Sequence, residues 1–237
     1  MIAMSDTSSQ SRLRVRYRKD GRLAYLGHLE VLNTVNRSVR RSGVPFAVGN
    51  GFARRIRLQF SQALPVGASS EAEYYDLMLT ERIDAKIALQ MLTRATPPAL
   101  APDAAVYVER SLPALEAWLT RASWCVSFSS EGVECESLDL RLRALRDAGQ
   151  LSYLRGTKPK TIDLSRSLVG WSIERDRGRC VLRLDTRSSN EGSLRPQVLL
   201  DAAFAEGALG PAATPSLRVS RVGQWHEGED GLLVNAM

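Results

Sequence analysis

The chain has 237 residues, 44% of them apolar, and a formal net charge of +6. That is enough apolar content for one large domain or two of about 100–120 residues each. No apolar run approaches the roughly 20 residues that span a bilayer. Met1–Arg12 lacks the apolar stretch of a secretory signal, and Cys125, Cys135 and Cys180 are too scattered for a disulfide framework. These features point to a soluble cytoplasmic protein without membrane contact.

The charge is unevenly placed. Residues 1–60 hold twelve Lys/Arg against Asp6, Asp20 and Glu30, a local excess of +9 that leaves −3 for the other 177 residues. Such asymmetry suggests a polyanionic partner, because phosphate binding gains from counterion release. A solvated face that keeps the protein soluble would carry the same composition.

Residues 1–11 are read as a disordered tail. From Arg12 to Arg18, Leu13, Val15 and Tyr17 alternate with four arginines, which predicts a half-buried strand bearing a row of guanidinium groups. Lys19-Asp20-Gly21 supplies a turn. A helix is predicted over His28–Ser42, with Leu29, Leu32, Val35 and Val39 as its apolar stripe. Arg37, Arg40 and Arg41 fall opposite, and Gly43 and Pro45 end it. Gly49-Asn50-Gly51 marks a tight loop. Strands follow over Ile56–Phe60 and Tyr74–Leu79, then a helix capped by Asp84 with Ile87, Met91 and Leu92 inward, then a strand over Ala104–Arg110. The order β-α-β-β-α-β predicts a ferredoxin-like unit over residues 12–112, with helices on one sheet face and the other face open. On this phase the open face presents Arg14, Arg16, Arg18 and Arg57, with Tyr74 nearby, groups that nucleic-acid platforms use. The alternative is that the second half of the chain covers this face.

Residues 113–225 repeat the order more faintly. A strand near Ser123–Phe128 precedes a helix from Ser137 carrying Leu138, Leu142 and Leu145. Extended chain over Thr161–Ile173 and a strand over Arg179–Arg187 come next. Gly192-Ser193 opens a helix that tolerates Pro196 in its first turn and buries Leu199, Leu200 and Phe204, and a last strand falls near Leu217–Val222. The expected class is α+β, two tandem ferredoxin-like units, with residues 226–237 a flexible tail.

Most chemistry lacks its parts. The two histidines are His28 and His226. His226 falls in the expected tail, and His28, in phase with Leu32 and Val35, reads first as a hydrogen-bonded structural residue and second as a weak catalytic candidate. Glu30 reads as surface. There is no Cys-x-x-Cys pair, zinc spacing, cysteine triad, Walker loop or Gly-x-Gly-x-x-Gly element, so no metal or cofactor is assigned. Cys125 and Cys180 read as small core residues.

Several motifs together resemble the radical-SAM-linked proteins, a bacterial family of unknown function whose members stand beside radical SAM enzymes or are fused to them. Its marks are Arg14-Val15-Arg16-Tyr17, Lys19-Asp20-Gly21-Arg22-Leu23, Gly27-His28-Leu29-Glu30 and Arg37–Arg41. They continue with Gly51-Phe52 and Ala63-Leu64-Pro65-Val66-Gly67, then Ser70, Glu73 and Asp76. Lys160-Thr161-Ile162-Asp163-Leu164 and Gly192-Ser193-Leu194-Arg195-Pro196 are similar to its C-terminal signatures. One departure stands out: after Gly-Phe the family has a Pro-His-Pro segment, where this chain reads Ala53-Arg54-Arg55-Ile56-Arg57. The resemblance implies a non-catalytic accessory module for a radical SAM enzyme supplied in trans, without a cofactor of its own. Relatives encoded near ribonuclease and ribosomal-protein genes hint at RNA (tRNA, rRNA or a ribosomal particle). On that reading Arg14, Arg16, Arg18, Arg37, Arg40, Arg41, Arg54, Arg55 and Arg57 contact phosphates. Two alternatives stay open: a protein–protein scaffold for the enzyme partner, and a metal-independent endoribonuclease using His28.

Overall fold

The alternation at the start of the chain does form a strand, β1 (Ser11–Lys19), with Leu13, Val15 and Tyr17 buried. The computed structural model describes residues 10–129, 132–189, 192–205 and 215–237. The expected tail over 1–11 lies outside the described residues as far as residue 9. Gln10 is buried and β1 starts at Ser11. The chain is of mixed α+β class and divides into two compact units, Met1–Leu119 with Asn235–Met237, and Thr120–Val234.

In the first unit, β1 is followed by α1 (His28–Ser42), β2 (Leu58–Phe60), β3 (Ser69–Leu79), α2 (Ala85–Ala95), β4 (Pro102–Val108) and α3 (Leu115–Trp118). The sheet order is β2-β3-β1-β4, every neighbour antiparallel. α1 buries Val31, Val35, Ser38 and Val39. Leu29 is 73% exposed, one position off the stripe predicted for it, because the buried arc is centred on the i, i+4, i+8 valines. Gly43 closes the helix at φ +79°, a left-handed conformation that glycine adopts without a side-chain clash. Asp84 caps α2 by accepting from the Lys86 and Ile87 backbone N–H groups at 2.8 and 3.1 Å. Ala88 and Leu92 are the buried residues of α2, whereas Ile87 is exposed. Both helices and the Leu13/Val15/Tyr17 side of the sheet share one core with Tyr75, Leu77 and Leu79.

The second unit contains β5 (Arg121–Phe128), α4 (Cys135–Ala148), β6 (Gln150–Arg155), β7 (Lys158–Asp163) and α5 (Leu164–Ser167). It goes on with β8 (Leu168–Asp176), β9 (Arg179–Ser189), β10 (Gly192–Ser193), α6 (Pro196–Ala205) and β11 (Leu217–Glu227). Its sheet order is β8-β9-β5-β11, again antiparallel throughout, with β10 added on β9. β6 and β7 form a separate hairpin between α4 and β8. The stretch expected to be extended over Thr161–Ile173 is therefore broken by α5, which Asp163 caps. Gly192-Ser193 is a strand, and α6 begins at Pro196, whose missing N–H costs nothing at a first helical position. Trp124, Val126, Phe128, Leu138, Leu142, Leu145, Leu199 and Leu200 are buried, and the Phe128 and Phe204 rings meet edge-to-face at 6.0 Å.

Two expected boundaries move. α3 lies beyond the predicted limit at residue 112, yet Leu115, Trp118 and Leu119 pack with Ala72 and Tyr74, so the first unit runs on to Leu119. The tail expected to be loose from His226 is folded: β11 reaches Glu227, a short β12 (Leu233–Asn235) follows, and Ala236 is buried in the first unit.

Candidate nucleic-acid interface

The arginine row of β1 is where the structure departs most from the sequence reading. Arg14 is fully buried and Arg12 is 5% exposed. Both converge on Asp76 of β3, which the register places opposite Arg14. The Asp76 carboxylate accepts from Arg12 Nε at 2.7 Å, Arg14 Nε at 2.8 Å and Arg14 Nη2 at 3.1 Å. Arg14 Nη1 donates to the Ala236 carbonyl at 2.9 Å, and its guanidinium lies 4.6 Å from the Trp118 ring centre. Arg12 donates to the Leu112 and Pro113 carbonyls. The open basic face is thus roofed by α3, the turn before it and the last residues of the chain. Two buried charges demand full hydrogen bonding, and these have it. As a phosphate contact, Arg14 is withdrawn.

Arg16 and Arg18 lie further along and share Asp103, at 2.8 and 3.3 Å, with 40% and 65% of their side chains exposed. The Asp103 hydrogen bond raises the Arg16 pKa, partly opposed by burial, and burial raises that of the Tyr74 phenol. Exposed pairs of this kind contribute about 1 kcal/mol or less, so both guanidiniums can exchange a carboxylate for another anion.

The remaining predicted arginines stand in solvent. Arg37, Arg40 and Arg41 occupy the outer side of α1, Arg41 donating to the Ala95 carbonyl at 3.1 Å. Between α1 and β2 the chain folds back on itself. Val48 bridges Ile56, Gly49 N–H donates to the Arg55 carbonyl at 2.8 Å, and Arg57 N–H donates to the Ala47 carbonyl at 2.9 Å. Bonds from Ala47 and to Arg57 through the backbone of Met78 fasten this ribbon to β3. At its tip, past Gly51, the Phe52 ring is fully exposed, and Arg54 (φ +40°) and Arg55 stand exposed beside it. Arg57, at the ribbon's foot, donates to Gln10 Oε1 at 2.7 Å and borders a cleft of about 320 Å³ shared with Arg12, Gln59, Asp76 and Arg110. Sequence reasoning missed Gln10 and Arg110 because it placed one in a tail and read the other only as the last residue of a strand. Asp76 could have been found as the carboxylate in phase with the arginines.

The remaining motif residues fall into separate places. His28 packs edge-on against Phe60, centroids 6.0 Å apart. Glu30 Oε2 accepts from Gly27 N–H at 2.6 Å, so it caps the helix that glycine cannot cap by a side chain. Gly67 N–H donates to the Ala24 carbonyl at 2.9 Å, tying the Pro65 loop to the turn before α1. Tyr25 and Val66 are exposed on the segments so joined, and Leu29 is exposed on the first turn of α1. Glu73 is buried opposite Tyr17. In the second unit, Asp163 accepts from Ser165 Oγ at 2.6 Å, the main cause of its lowered pKa. Arg195 is exposed and Pro196 opens α6. Among the described residues no group of three or more His, Cys, Asp and Glu side chains is placed to hold a metal, and no helix is long and apolar enough to cross a membrane.

The chain belongs to the family described as an uncharacterized protein conserved in bacteria (DUF2344), whose model matches residues 12–196. No curated protein matches it. Among solved structures it is similar to a chain of a Cbf5-Nop10-Gar1 complex, at TM-score 0.47 and 10% identity over 92% of this chain and 50% of that one. It therefore spans half the length of that chain. It is also similar to an unknown protein from Galdieria sulphuraria, at TM-score 0.27 and 10% identity over 76% and 81% of the two chains. A putative glycine cleavage system transcriptional repressor matches at TM-score 0.21 and 11% identity, over 90% and 98%.

Proposed function

We propose that this DUF2344 chain is a non-catalytic RNA-binding module, built as two tandem ferredoxin-like units, that serves a radical SAM enzyme supplied in trans. The observation that carries the RNA reading is Phe52, fully exposed at the tip of a hydrogen-bonded ribbon and flanked by exposed Arg54 and Arg55. An aromatic ring in water loses hydration cost when a base stacks on it, at about 1–3 kcal/mol per base, and adjacent guanidiniums take the flanking phosphates. Arg57 and the outer arginines of α1 (Arg37, Arg40 and Arg41) extend the basic surface in the same unit. The strand order β2-β3-β1-β4 and its counterpart β8-β9-β5-β11 support the tandem reading. The enzyme partner rests on the motif resemblance alone.

The test is binding of a fluorescein-labelled 20-nucleotide single-stranded RNA to the full chain, followed by anisotropy at several salt concentrations. Phe52→Ala weakens binding by about 5- to 150-fold, the equivalent of one lost stack. Arg54→Ala with Arg55→Ala flattens the slope of log K against log salt by about 1.4. Wild-type affinity in the Phe52/Arg54/Arg55 triple alanine variant overturns the reading. Exposed Tyr25, Leu29 and Val66 favour a second one, a protein-docking scaffold for the enzyme partner. Co-purification of that enzyme after nuclease treatment, lost in Tyr25→Ala/Leu29→Ala, marks it.

A further inference from the structure

On one face of the second unit's sheet the charges are arranged unevenly. Odd-numbered residues of β5 and β9 point to one side: Arg121, Ser123, Cys125 and Ser127 on β5, and Arg179, Val181, Arg183, Asp185 and Arg187 on β9. The even-numbered residues Trp124, Val126, Phe128, Leu182 and Leu184 are buried on the other. Along this outer face most arginines are matched. Arg121 and Arg187 hold Glu227 between them, Arg183 holds Glu174 at 3.1 Å, and Ser123 donates to Asp185.

One end of the face differs. Arg177, Arg179 and Arg218 line a cleft of about 500 Å³ together with Ser127, Ser129 and Asp176. All three arginines are exposed, and the ion pairs among the described residues include none of them. Asp176 is the single carboxylate in the lining, so the cleft has a surplus of two positive charges. The register sets Arg218 opposite Ser127, and Ser127 opposite Val181, two residues from Arg179 on the same strand face. Arg177 lies in the two-residue turn joining β8 to β9, at φ +49° beside Gly178 at +81°. Such turns favour Asn or Gly at that first position. An arginine there holds its charge over the cleft against its own backbone preference.

We infer that the Arg177/Arg179/Arg218 cleft is a second phosphate-binding site, taking the backbone of single-stranded RNA. Guanidinium groups match phosphate oxygens bidentately, and the Ser127 and Ser129 hydroxyls add neutral donors. The cleft presents no exposed aromatic ring, so it contributes affinity and salt dependence without base preference. This inference rests on the RNA reading above.

The experiment compares three full-length proteins with the labelled 20-nucleotide RNA between 50 and 300 mM salt: wild type, Arg177→Ala/Arg179→Ala/Arg218→Ala, and Phe52→Ala/Arg54→Ala/Arg55→Ala. The cleft variant is expected to lose at least tenfold in affinity at the lowest salt and about 2 in the salt slope, from three phosphate contacts at about 0.7 each. Arg177→Gly is the folding control. It relieves the positive φ, so thermal stability holds or rises while the slope still falls by about 0.7. Wild-type affinity and slope in the cleft variant overturn the inference and leave the ribbon reading intact if the Phe52 variant is impaired. The converse result, with only the cleft variant impaired, sustains the inference and refutes the ribbon as the base-contacting element. Absence of RNA binding by wild type refutes both.

Discussion

Asp76→Asn tests the reassignment of the β1 arginines most directly. The carboxylate accepts three hydrogen bonds from two guanidiniums that are 5% and 0% exposed. Removing one partner of a buried pair costs about 3–5 kcal/mol, because the surviving charge is stranded. Asparagine keeps one carbonyl acceptor, so the lower end, about 3 kcal/mol, is expected. For a urea m-value of about 1–3 kcal/mol/M, this moves the midpoint down by about 1–3 M. The assay is urea denaturation followed by circular dichroism and by tryptophan fluorescence, since Trp118 stacks on Arg14. Replacing the whole cluster, as in Arg12→Met/Arg14→Met/Asp76→Leu, recovers most of the loss, because no buried charge is then left unpaired. RNA affinity of that folded triple variant stays within about twofold of wild type. A stability loss below about 1 kcal/mol in Asp76→Asn, or a tenfold fall in RNA affinity in the triple variant, refutes the argument that these arginines are structural.

Three further outcomes follow from individual contacts. Glu227 accepts from Arg187 at 2.6 and 2.7 Å and from Arg121 at 2.9 Å, and these bonds, Arg187 first, lower its pKa. Its stabilisation is therefore fully present above the ordinary carboxylate range and is lost as pH falls through the depressed folded value. Glu227→Gln costs about 1–2 kcal/mol at pH 7, and the gap to wild type closes in acid denaturation curves at lower pH. Asp84→Ala removes the cap of α2 and costs about 1 kcal/mol by thermal melting, with Asp84→Asn largely preserving stability. Burial and the hydrogen bond with Cys135 push the Cys180 thiol up to about 12. In the native protein a disulfide reagent therefore titrates Cys125, the half-buried thiol, first, and reaches Cys135 and Cys180 upon unfolding.

Local order in the first unit was legible because its signals are local. Period-two alternation marked β1, the spacing of Leu29, Leu32, Val35 and Val39 with a closing glycine marked α1 although Leu29 is exposed, and Asp84 marked the start of α2. The same signals were weaker in the second unit. There α5 interrupts what composition reads as one extended stretch, since a four-residue helix leaves no periodicity to detect.

The sequence by itself settled which residues of β1 alternate, and hence that the arginines share one side of the strand. It could not settle whether that side meets water. Tertiary structure decided this, through Asp76 on the neighbouring strand, Trp118 from a later helix and the carbonyl of Ala236 at the far end of the chain. Burial of a guanidinium depends on partners 62, 104 and 222 residues away in sequence, brought close by strand pairing and chain return. Strand periodicity records the direction of a side chain, whereas the dielectric around its charge is set by whatever the rest of the fold places over it.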